Sequence, residues 1–392
     1  ISSLTSITYM LPGRVEAERT LKEGISWARE HKDKAFESTI LSNMGQVAAV
    51  HGQPYEAKQM VLDAERIAAE TGKPAPAFTA RVIRSFIERL LGNPQKTVEL
   101  TEGMIEFLQK AFSLTALPNV MFIRGIALAE IGRIEEGIAM MKDGIDIFEK
   151  FGAVYRLGSL LNSLGYCYSE LHQHAYAWKL NQKGEEIARR QMKEYPLGRH
   201  LYGEIVAQAN VNLMENIFDQ GKVDAAWDQM NSFRQESRSK DYDLFRHQWE
   251  SRMNYLAAQI LLFRNELAEA DVFVQEGIKT AQTLHSKKRE GGLLRLQGEI
   301  QIRRNEPQNA IGNLGEAVSI LKEVGNPRQL WEAYGSLASA FDKMGRLSEA
   351  REQWGLAADL MQKTARGLSD RELRESFLAA NPIREILSKA ES

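Results

Sequence analysis

The sequence has little of what marks several common protein classes. A single cysteine, Cys167, excludes an intramolecular disulfide framework and fits a reducing, cytoplasmic location. No run of about 18 apolar residues is present, which excludes a transmembrane helix. The 50 basic and 52 acidic residues leave a formal charge of −2, so we expect no nucleic-acid or membrane partner. The densest basic cluster, Lys287-Lys288-Arg289, is interpreted as a solvated helix end.

Motifs for catalysis and cofactor binding are also missing. The nearest approach to a phosphate-binding loop, residues 92–97, lacks the second glycine and follows no strand pattern. Cys167, His172 and His174 lie close together in sequence, but a closed zinc site needs four ligands and no fourth is nearby. Carboxylate pairs such as Glu135-Glu136 fall on charged helix faces, without a feature that would perturb a pKa. We therefore expect a protein that is not an enzyme and has no cofactor or metal ion.

What the sequence does contain is a repeat of about 40 residues. A turn-forming residue recurs along the chain, and in most copies a small residue follows it five positions later. These anchor residues are Gly52, Gly92, Gly132, His172, Gly221, Asn265, Asn305 and Gly345. Only the steps from 172 to 221 and from 221 to 265 break the spacing, and longer links are predicted there, at 195–198 and 236–243. A fixed period of this length indicates stacked supersecondary units.

Each unit is predicted to be a pair of antiparallel helices. Small residues recur seven positions before the anchor and twelve after it, as Gly125 and Gly144 do around Gly132. Small residues at these points let two helix backbones approach closely. The anchor tolerates the left-handed conformation that ends the first helix. Between these points apolar residues recur at helical spacing, as in 157–168.

The frame resembles the tetratricopeptide repeat (TPR). The matching residues are Trp331, Leu337, Ala338, Phe341, Gly345, Ala350, Trp354 and Ala357 in the last copy, and Leu164, Gly165, Tyr168, Ala177 and Gly184 in the fourth. The resemblance implies an all-α fold, a right-handed α-solenoid of antiparallel helix pairs. A period of 40 rather than 34 residues implies longer helices, as in the kinesin light chain. Residues 1–368 then form the superhelix, an incomplete first hairpin followed by eight repeats, and residues 369–392 form a C-terminal capping helix and tail.

The end of the sequence departs from the repeat. Ser369 to Glu372 is typical of a capping box, with Ser369 as the N-cap of a helix that stops near Pro382. Residues 368–387 resemble the C-terminus of bacterial proteins that place a cyclase or kinase domain and a STAND-type ATPase before a TPR array. Because the sequence also begins without methionine, we expect it to be the C-terminal part of a larger signalling protein.

In TPR superhelices the first helix of each repeat lines the concave groove, so the resemblance implies a partner-binding surface there. Its residues are Asn43, Gln46, Asn162, Tyr166, Gln208, Asn212, Glu215, Arg252, Tyr255, Gln259, Arg295 and Glu299. Asn43 and Asn212 fall where long-repeat families place an asparagine that holds a peptide backbone. A carboxamide suits that role because it both donates and accepts hydrogen bonds.

Two functional hypotheses follow. The first is a non-catalytic scaffold or sensor that binds a protein or peptide segment, or upstream domains of its own polypeptide, in the groove. The alternative is a domain that senses a small-molecule effector, as in the maltose regulon activator, which tyrosines and arginines around a closed channel would favour. A third reading, a peptide-pheromone receptor of Gram-positive type, would need an effector domain before the repeats.

Overall fold

The computed structural model describes residues 14–111, 116–151 and 156–391, and every regular element in these ranges is helical. The helices are α1 (Arg14–Glu30), α2 (Lys34–Val50), α3 (Pro54–Thr71), α4 (Pro74–Leu90), α5 (Pro94–Leu100), α6 (Met104–Lys110), α7 (Ala116–Glu130), α8 (Ile134–Phe151), α9 (Leu157–Glu170), α10 (His174–Glu194), α11 (Arg199–Asp219), α12 (Val223–Glu236), α13 (Arg246–Phe263), α14 (Leu267–Thr283), α15 (Lys287–Arg303), α16 (Pro307–Val324), α17 (Pro327–Lys343), α18 (Leu347–Arg366), α19 (Arg371–Ala379) and α20 (Asn381–Glu391). The predicted all-α fold is confirmed.

From α2 onwards the helices form eight pairs. The first helices of the pairs are α2, α4, α7, α9, α11, α13, α15 and α17; the second helix of the second pair is divided into α5 and α6. Helix α1 packs on α2 as the second helix of the predicted incomplete hairpin, whose first helix would lie before residue 14, outside the described residues. The two predicted longer links contain the short 3₁₀ helices Pro196–Gly198 and Lys240–Tyr242. Among the described helices, none is both long and apolar enough to span a membrane.

The turn inside each pair has the predicted left-handed conformation. All eight anchor residues have a positive φ, between 57° at His172 and 85° at Gly52 and Gly132. Glycine adopts this conformation without a steric penalty, and asparagine tolerates it better than most residues. This is the local reason why only a few residue types occupy the anchor.

Small residues inside the pairs permit close contact between the two helices. A Cβ atom added to Gly137 would lie 2.7 Å from the backbone oxygen of Gly125. One added to Gly298 would lie 2.4 Å from Leu314 Cγ. Real Cβ atoms do not approach other atoms this closely, so a larger residue at these points would push the helices apart.

The superhelix winds back on itself. The turns after α2, α4 and α7 touch the first residues of α13, α15 and α17, so that Gly52 faces His247, Gly92 faces Lys287 and Gly132 faces Pro327. The separation along the chain is the same in all three contacts, which means that repeats 1–3 stack in register on repeats 6–8. We call this contact zone the seam. A single hydrophobic core runs through it and joins residues of repeats 3 and 4 to residues of repeats 7 and 8 and the C-terminal helices.

The C-terminal helices differ from the predicted capping box. Asp370, not Ser369, is the N-cap of α19, and its Oδ1 accepts a hydrogen bond from the backbone N–H of Leu373 at 3.0 Å. Ser369 is engaged elsewhere: its backbone N–H and Oγ donate to Glu135 of repeat 3 at 2.6 and 2.7 Å. The prediction of Ser369 as N-cap is wrong because this contact across the seam uses its hydroxyl. The predicted tail is a second helix, α20, whose Ile383 is fully buried.

Candidate functional site

The seam narrows the concave groove into a cavity of about 1200 Å³ that stays partly open to solvent. The first helices of all eight repeats contribute to its wall, from Gln46 of α2 to Glu332 of α17. Such a cavity follows from the repeat itself, because a small rotation per repeat, added over the array, brings the two ends of the superhelix together.

The wall combines two kinds of surface. One part, which we call the apolar wall, consists of large apolar side chains, most of them from repeats 2 and 3 and the others from α11 and from the residue before α13. The residues of the apolar wall are Phe78, Val82, Phe86, Phe122, Leu201, Ile205 and Phe245. The other part, the polar wall, consists of Tyr166, Gln208, Glu215, Arg252, Tyr255, Lys288, Arg289, Arg328 and Glu332. A ligand that fills the cavity therefore meets apolar contacts and fixed charges together.

Arg252 is the centre of the polar wall in repeats 5 and 6. Its Nη2 donates to Glu215 Oε2 and to Asn212 Oδ1, each at 2.6 Å, and its Nη1 donates to Gln208 Oε1 at 3.1 Å. Four residues predicted as partner-binding are thus joined in one hydrogen-bonded group. Because its donors are occupied, Arg252 is held in a fixed position.

Tyr255 is positioned from behind by Arg295. The guanidinium of Arg295 donates to Tyr255 Oη at 2.8 Å and pairs with Glu299 at 2.5 Å and with Glu332 at 3.2 Å. Arg295 is buried, and neither it nor Glu299 lines the cavity. These two predicted site residues therefore lie behind the wall and orient the tyrosine that forms it.

The basic cluster 287–289 is not a solvated helix end. Only Lys287 faces outward, where it pairs with Glu323. Lys288 crosses the seam, and its Nζ lies 3.1 Å from Glu130 Oε1 and 3.0 Å from Tyr166 Oη. The prediction is wrong for Lys288 and Arg289 because the seam, which no local pattern reveals, covers this end of α15.

Arg328 makes the second charged contact between the two halves. It donates to Asp219 Oδ2 at 3.1 Å and to the backbone oxygen of Ser169 at 2.9 Å. Burial raises the pKa of Asp219 and that of nearby Glu170, and the charge of Arg328 opposes both shifts. A cation at this point is therefore needed to keep buried carboxylates ionised.

Arg289 differs from the other cations of the polar wall. Its guanidinium carbon stacks over the ring of Tyr255, 4.9 Å from the centroid, and across the described ranges it makes no hydrogen bond and no ion pair. Burial lowers the pKa of Arg289, and the neighbouring charge of Arg252 lowers it further. The cavity thus contains a partly desolvated cation with unused hydrogen-bond donors.

Glu204 is the corresponding carboxylate. It lines the cavity in the same helix turn as Leu201 and Ile205 and has no hydrogen-bond or ion-pair partner within the described part of the chain. Burial raises its pKa to about 7, although the charges of Arg156 and Arg89 act in the opposite direction. Sequence reasoning missed both Glu204 and Arg289; their position in the first helix of a repeat is the only local signal that could have identified them.

The predicted asparagines have a structural role in this conformation. Asn162 Nδ2 donates to the backbone oxygen of Ile205 at 3.0 Å, and Asn212 Nδ2 donates to the backbone oxygen of Asn162 at 3.1 Å. Asn181 and Asn216 continue the same network between repeats 4 and 5. Both ends of the Asn212 amide are engaged, so it has no unused donor and acceptor for a peptide backbone here.

The twelve residues predicted as partner-binding divide between the cavity and its surroundings. Those that line the cavity are Gln46, Asn162, Tyr166, Gln208, Asn212, Glu215, Arg252, Tyr255 and Gln259, whereas Asn43, Arg295 and Glu299 do not. Asn43 is 1% exposed, and neither its amide nitrogen nor its amide oxygen has a hydrogen-bond partner among the residues that the structure describes. The predicted residues of repeats 4–6 thus lie mostly at the cavity, and that they bind a partner stays a prediction.

The cysteine and histidines of repeat 4 are largely buried and electrically neutral in their surroundings. Burial lowers the pKa of His172 to about 2 and that of His174 to about 3, and it raises the pKa of the Cys167 thiol. Among the residues that the structure describes, no group of three potential ligands is arranged for a metal ion. His172 instead lies against Phe377 of α19, with 6.3 Å between the ring centroids, as part of the seam.

No family model and no curated protein matches this sequence, but solved structures do. A Rap protein complexed with competence and sporulation factor matches with a TM-score of 0.69 and 13% identity, over 94% of this chain and 99% of that one. The apo quorum sensor NprR from B. thuringiensis gives 0.46 and 13%, over 85% and 99%. A STAND protein with a tetratricopeptide repeat sensor from Pyrococcus horikoshii gives 0.42 and 14%, over 85% and 49%. The chain has a TPR-type α-solenoid fold, as predicted.

Proposed function

We propose that this TPR-type superhelix is a non-catalytic sensor module that binds a short, extended peptide segment in its interior cavity. The observation that carries the proposal is that one cavity, bounded on one side by the seam, is lined by the first helices of all eight repeats. Its volume of about 1200 Å³ is above the roughly 300–1,000 Å³ of pockets for drug-sized ligands and far too small for a folded domain. A peptide of a few residues matches that size.

The chemistry of the wall supports the same ligand class. The polar wall offers carboxamide and hydroxyl groups, such as Gln208, Gln259 and Tyr166, that suit a peptide backbone, while the apolar wall suits hydrophobic side chains. Tyrosine and arginine supply most of the strong anchors in protein interfaces. The Rap protein that shares the fold is itself solved as a complex with competence and sporulation factor, which supports a ligand-sensing role.

The experiment is to fill the cavity and measure peptide capture. Ser251 lines the cavity beside Arg252, so Ser251→Trp occupies the ligand's space; Glu276→Trp, at an exposed position of α14, is the matched control. Each protein is mixed with a random pool of N-acetylated hexapeptides, and the retained peptides are quantified by mass spectrometry after gel filtration. We expect the wild type and Glu276→Trp to retain the same peptides and Ser251→Trp to lose them. Equal retention by all three proteins would exclude the cavity as the binding site.

A small-molecule effector is the second candidate, and one observation favours it. Tyr166, Tyr255 and Arg252 face a cavity that the seam closes on one side. A ligand that binds only the folded state raises its stability by RT ln(1 + [L]/Kd). A thermal-shift screen with a metabolite library therefore tests this candidate directly: stabilisation by a metabolite, together with no peptide capture, would favour it over the peptide.

We further propose that the module reports ligand binding to other domains of a cytoplasmic signalling protein. This rests on residues 368–387, whose sequence resembles the C-terminus of bacterial cyclase or kinase and STAND ATPase proteins. The sequence of the complete gene tests it, because a protein without such domains would contradict the proposal.

A further inference from the structure

The polar wall contains one cation whose counter-ion is missing, and its surroundings indicate what the ligand must supply. Arg252 is paired with Glu215, Arg328 with Asp219 and Lys288 with Glu130. The guanidinium of Arg289 lies over the ring of Tyr255 and makes no hydrogen bond and no ion pair with the described residues. Arg289 is half-buried and lines the cavity, so its donors are accessible to a ligand there, which can supply the missing counter-charge.

The geometry of Arg289 suits a planar anion. The guanidinium carbon of Arg289 lies 4.9 Å from the centroid of the Tyr255 ring, and its N–H donors have no hydrogen-bond partner among the described residues. A guanidinium edge presents two parallel N–H groups that match the two oxygens of a carboxylate. The hydroxyl of Tyr255 is held by Arg295 at 2.8 Å, so the stacking surface is itself fixed.

We infer that Arg289 is the anion-anchoring residue of the cavity and that the ligand is a short peptide whose carboxylate forms a bidentate pair with it. This inference rests on the proposed function and deepens it, since it states which chemical group the peptide must carry. The carboxylate can come from the C-terminus of the peptide or from an aspartate or glutamate side chain. Either source would neutralise the charge of Arg289, which lies close enough to Arg252 for the two charges to affect one another.

The test uses two pools of N-acetylated random hexapeptides, one with free C-terminal carboxylates and one with C-terminal amides. Wild-type protein, Arg289→Gln and Lys287→Gln are compared. Lys287→Gln is the matched control, because it removes the same charge two residues away, from a side chain that pairs with Glu323 outside the cavity. We expect Arg289→Gln to lose about tenfold to a hundredfold in affinity for the peptides that the wild type selects, and Lys287→Gln to lose nothing.

The two pools distinguish the sources of the carboxylate. Selection from the free-acid pool alone indicates the C-terminus, whereas enrichment of aspartate or glutamate in both pools indicates a side chain. Peptides that bind without either preference, and equally well to Arg289→Gln, overturn the inference and leave the proposed function standing. Failure of the wild type to retain any peptide overturns the proposed function, and the inference with it.

A second measurement separates a ligand-binding arginine from a structural one. Arg289→Gln removes a desolvated cation that has no counter-ion, so we expect the melting temperature of the ligand-free protein to rise while affinity falls. A structural arginine would instead lower the melting temperature when it is replaced. Arg289→Lys keeps the charge but not the planar pair of donors, and we expect it to recover only part of the lost affinity.

Discussion

Gly132 tests whether the seam holds the superhelix closed. It has a φ of 85°, and a Cβ atom placed on it would lie 2.7 Å from Cγ of Pro327, at the start of α17. Gly221 occupies the same position in repeat 5, with a φ of 77°, and a Cβ atom there would meet no atom of the described part of the chain within 4 Å. Gly132→Ala and Gly221→Ala therefore impose the same type of backbone strain, but only the first disturbs the seam.

The expected magnitudes follow from these two contributions. Alanine in a left-handed conformation costs roughly 1–2 kcal/mol of folding stability, and both variants bear that cost. Gly132→Ala adds a clash with the stiff ring of Pro327, and overpacking of this kind costs roughly a further 1–3 kcal/mol unless the seam separates. Because the effect of alanine on the unfolded chain is the same in both variants, it cancels from the comparison.

Urea unfolding followed by tryptophan fluorescence, and small-angle X-ray scattering of the native proteins, measure the two consequences. We expect a larger loss of stability for Gly132→Ala than for Gly221→Ala, and a larger radius of gyration for Gly132→Ala alone if the clash opens the seam. Equal losses of stability and unchanged scattering in both variants would refute the reasoning, because the contact between Gly132 and Pro327 would then contribute nothing to the stability of the folded protein.

Two further predictions concern the buried charges. Burial raises the pKa of Glu204 from 4.5 to about 7, so the folded protein retains a proton that the unfolded chain has lost between those values; its stability then falls as the pH rises through that window, by about 3 kcal/mol in total. Glu204→Gln should remove this fall in pH-dependent urea unfolding, and a pH-independent difference from the wild type would contradict the assignment. Arg328→Met leaves Asp219 and Glu170 without this cation, and we expect a loss of about 3 kcal/mol or more at pH 7 and a smaller loss as the pH falls, because burial raises the pKa of both carboxyls. Arg346→Met, which breaks an exposed pair with Glu349, is the control with an expected loss below about 1 kcal/mol, and equal losses for the two variants would count against the role of Arg328.

Sequence reasoning succeeded wherever the determinant is local. The eight anchor residues all have the predicted positive φ, including His172, although histidine adopts this conformation less readily than glycine. A left-handed turn is specified by the residue itself and by the helices on either side, so a periodic pattern is sufficient to find it. The same holds for the first-helix face in repeats 4–6, where Tyr166, Arg252 and Tyr255 line the cavity as predicted.

Sequence reasoning failed for residues whose contacts depend on closure of the superhelix. Closure is the sum of small rotations between neighbouring repeats, and no single repeat contains it. The sequence therefore predicts Lys288 as a surface residue, although it contacts Glu130. It also predicts Ser369 as an N-cap, although its hydroxyl contacts Glu135. Asn212 is a different kind of miss: its type and register suit a ligand, but Asn162, Asn181 and Arg252 already occupy its amide.

The first turn of α15 indicates how ligand binding and closure are coupled. Lys287 forms an ion pair with Glu323 on the outer surface, Lys288 pairs with Glu130 across the seam, and Arg289 faces the cavity. Lys288, which makes the seam contact, and Arg289, the proposed anion anchor, are neighbours in one helical turn. When the seam opens, Arg289 therefore moves away from the wall of the cavity that repeats 3 and 4 form. A ligand that bridges Arg289 and that wall therefore binds the closed form better than the open one. By thermodynamic linkage it stabilises the closed form by the same factor, which makes closure of the superhelix the output that such a ligand would control.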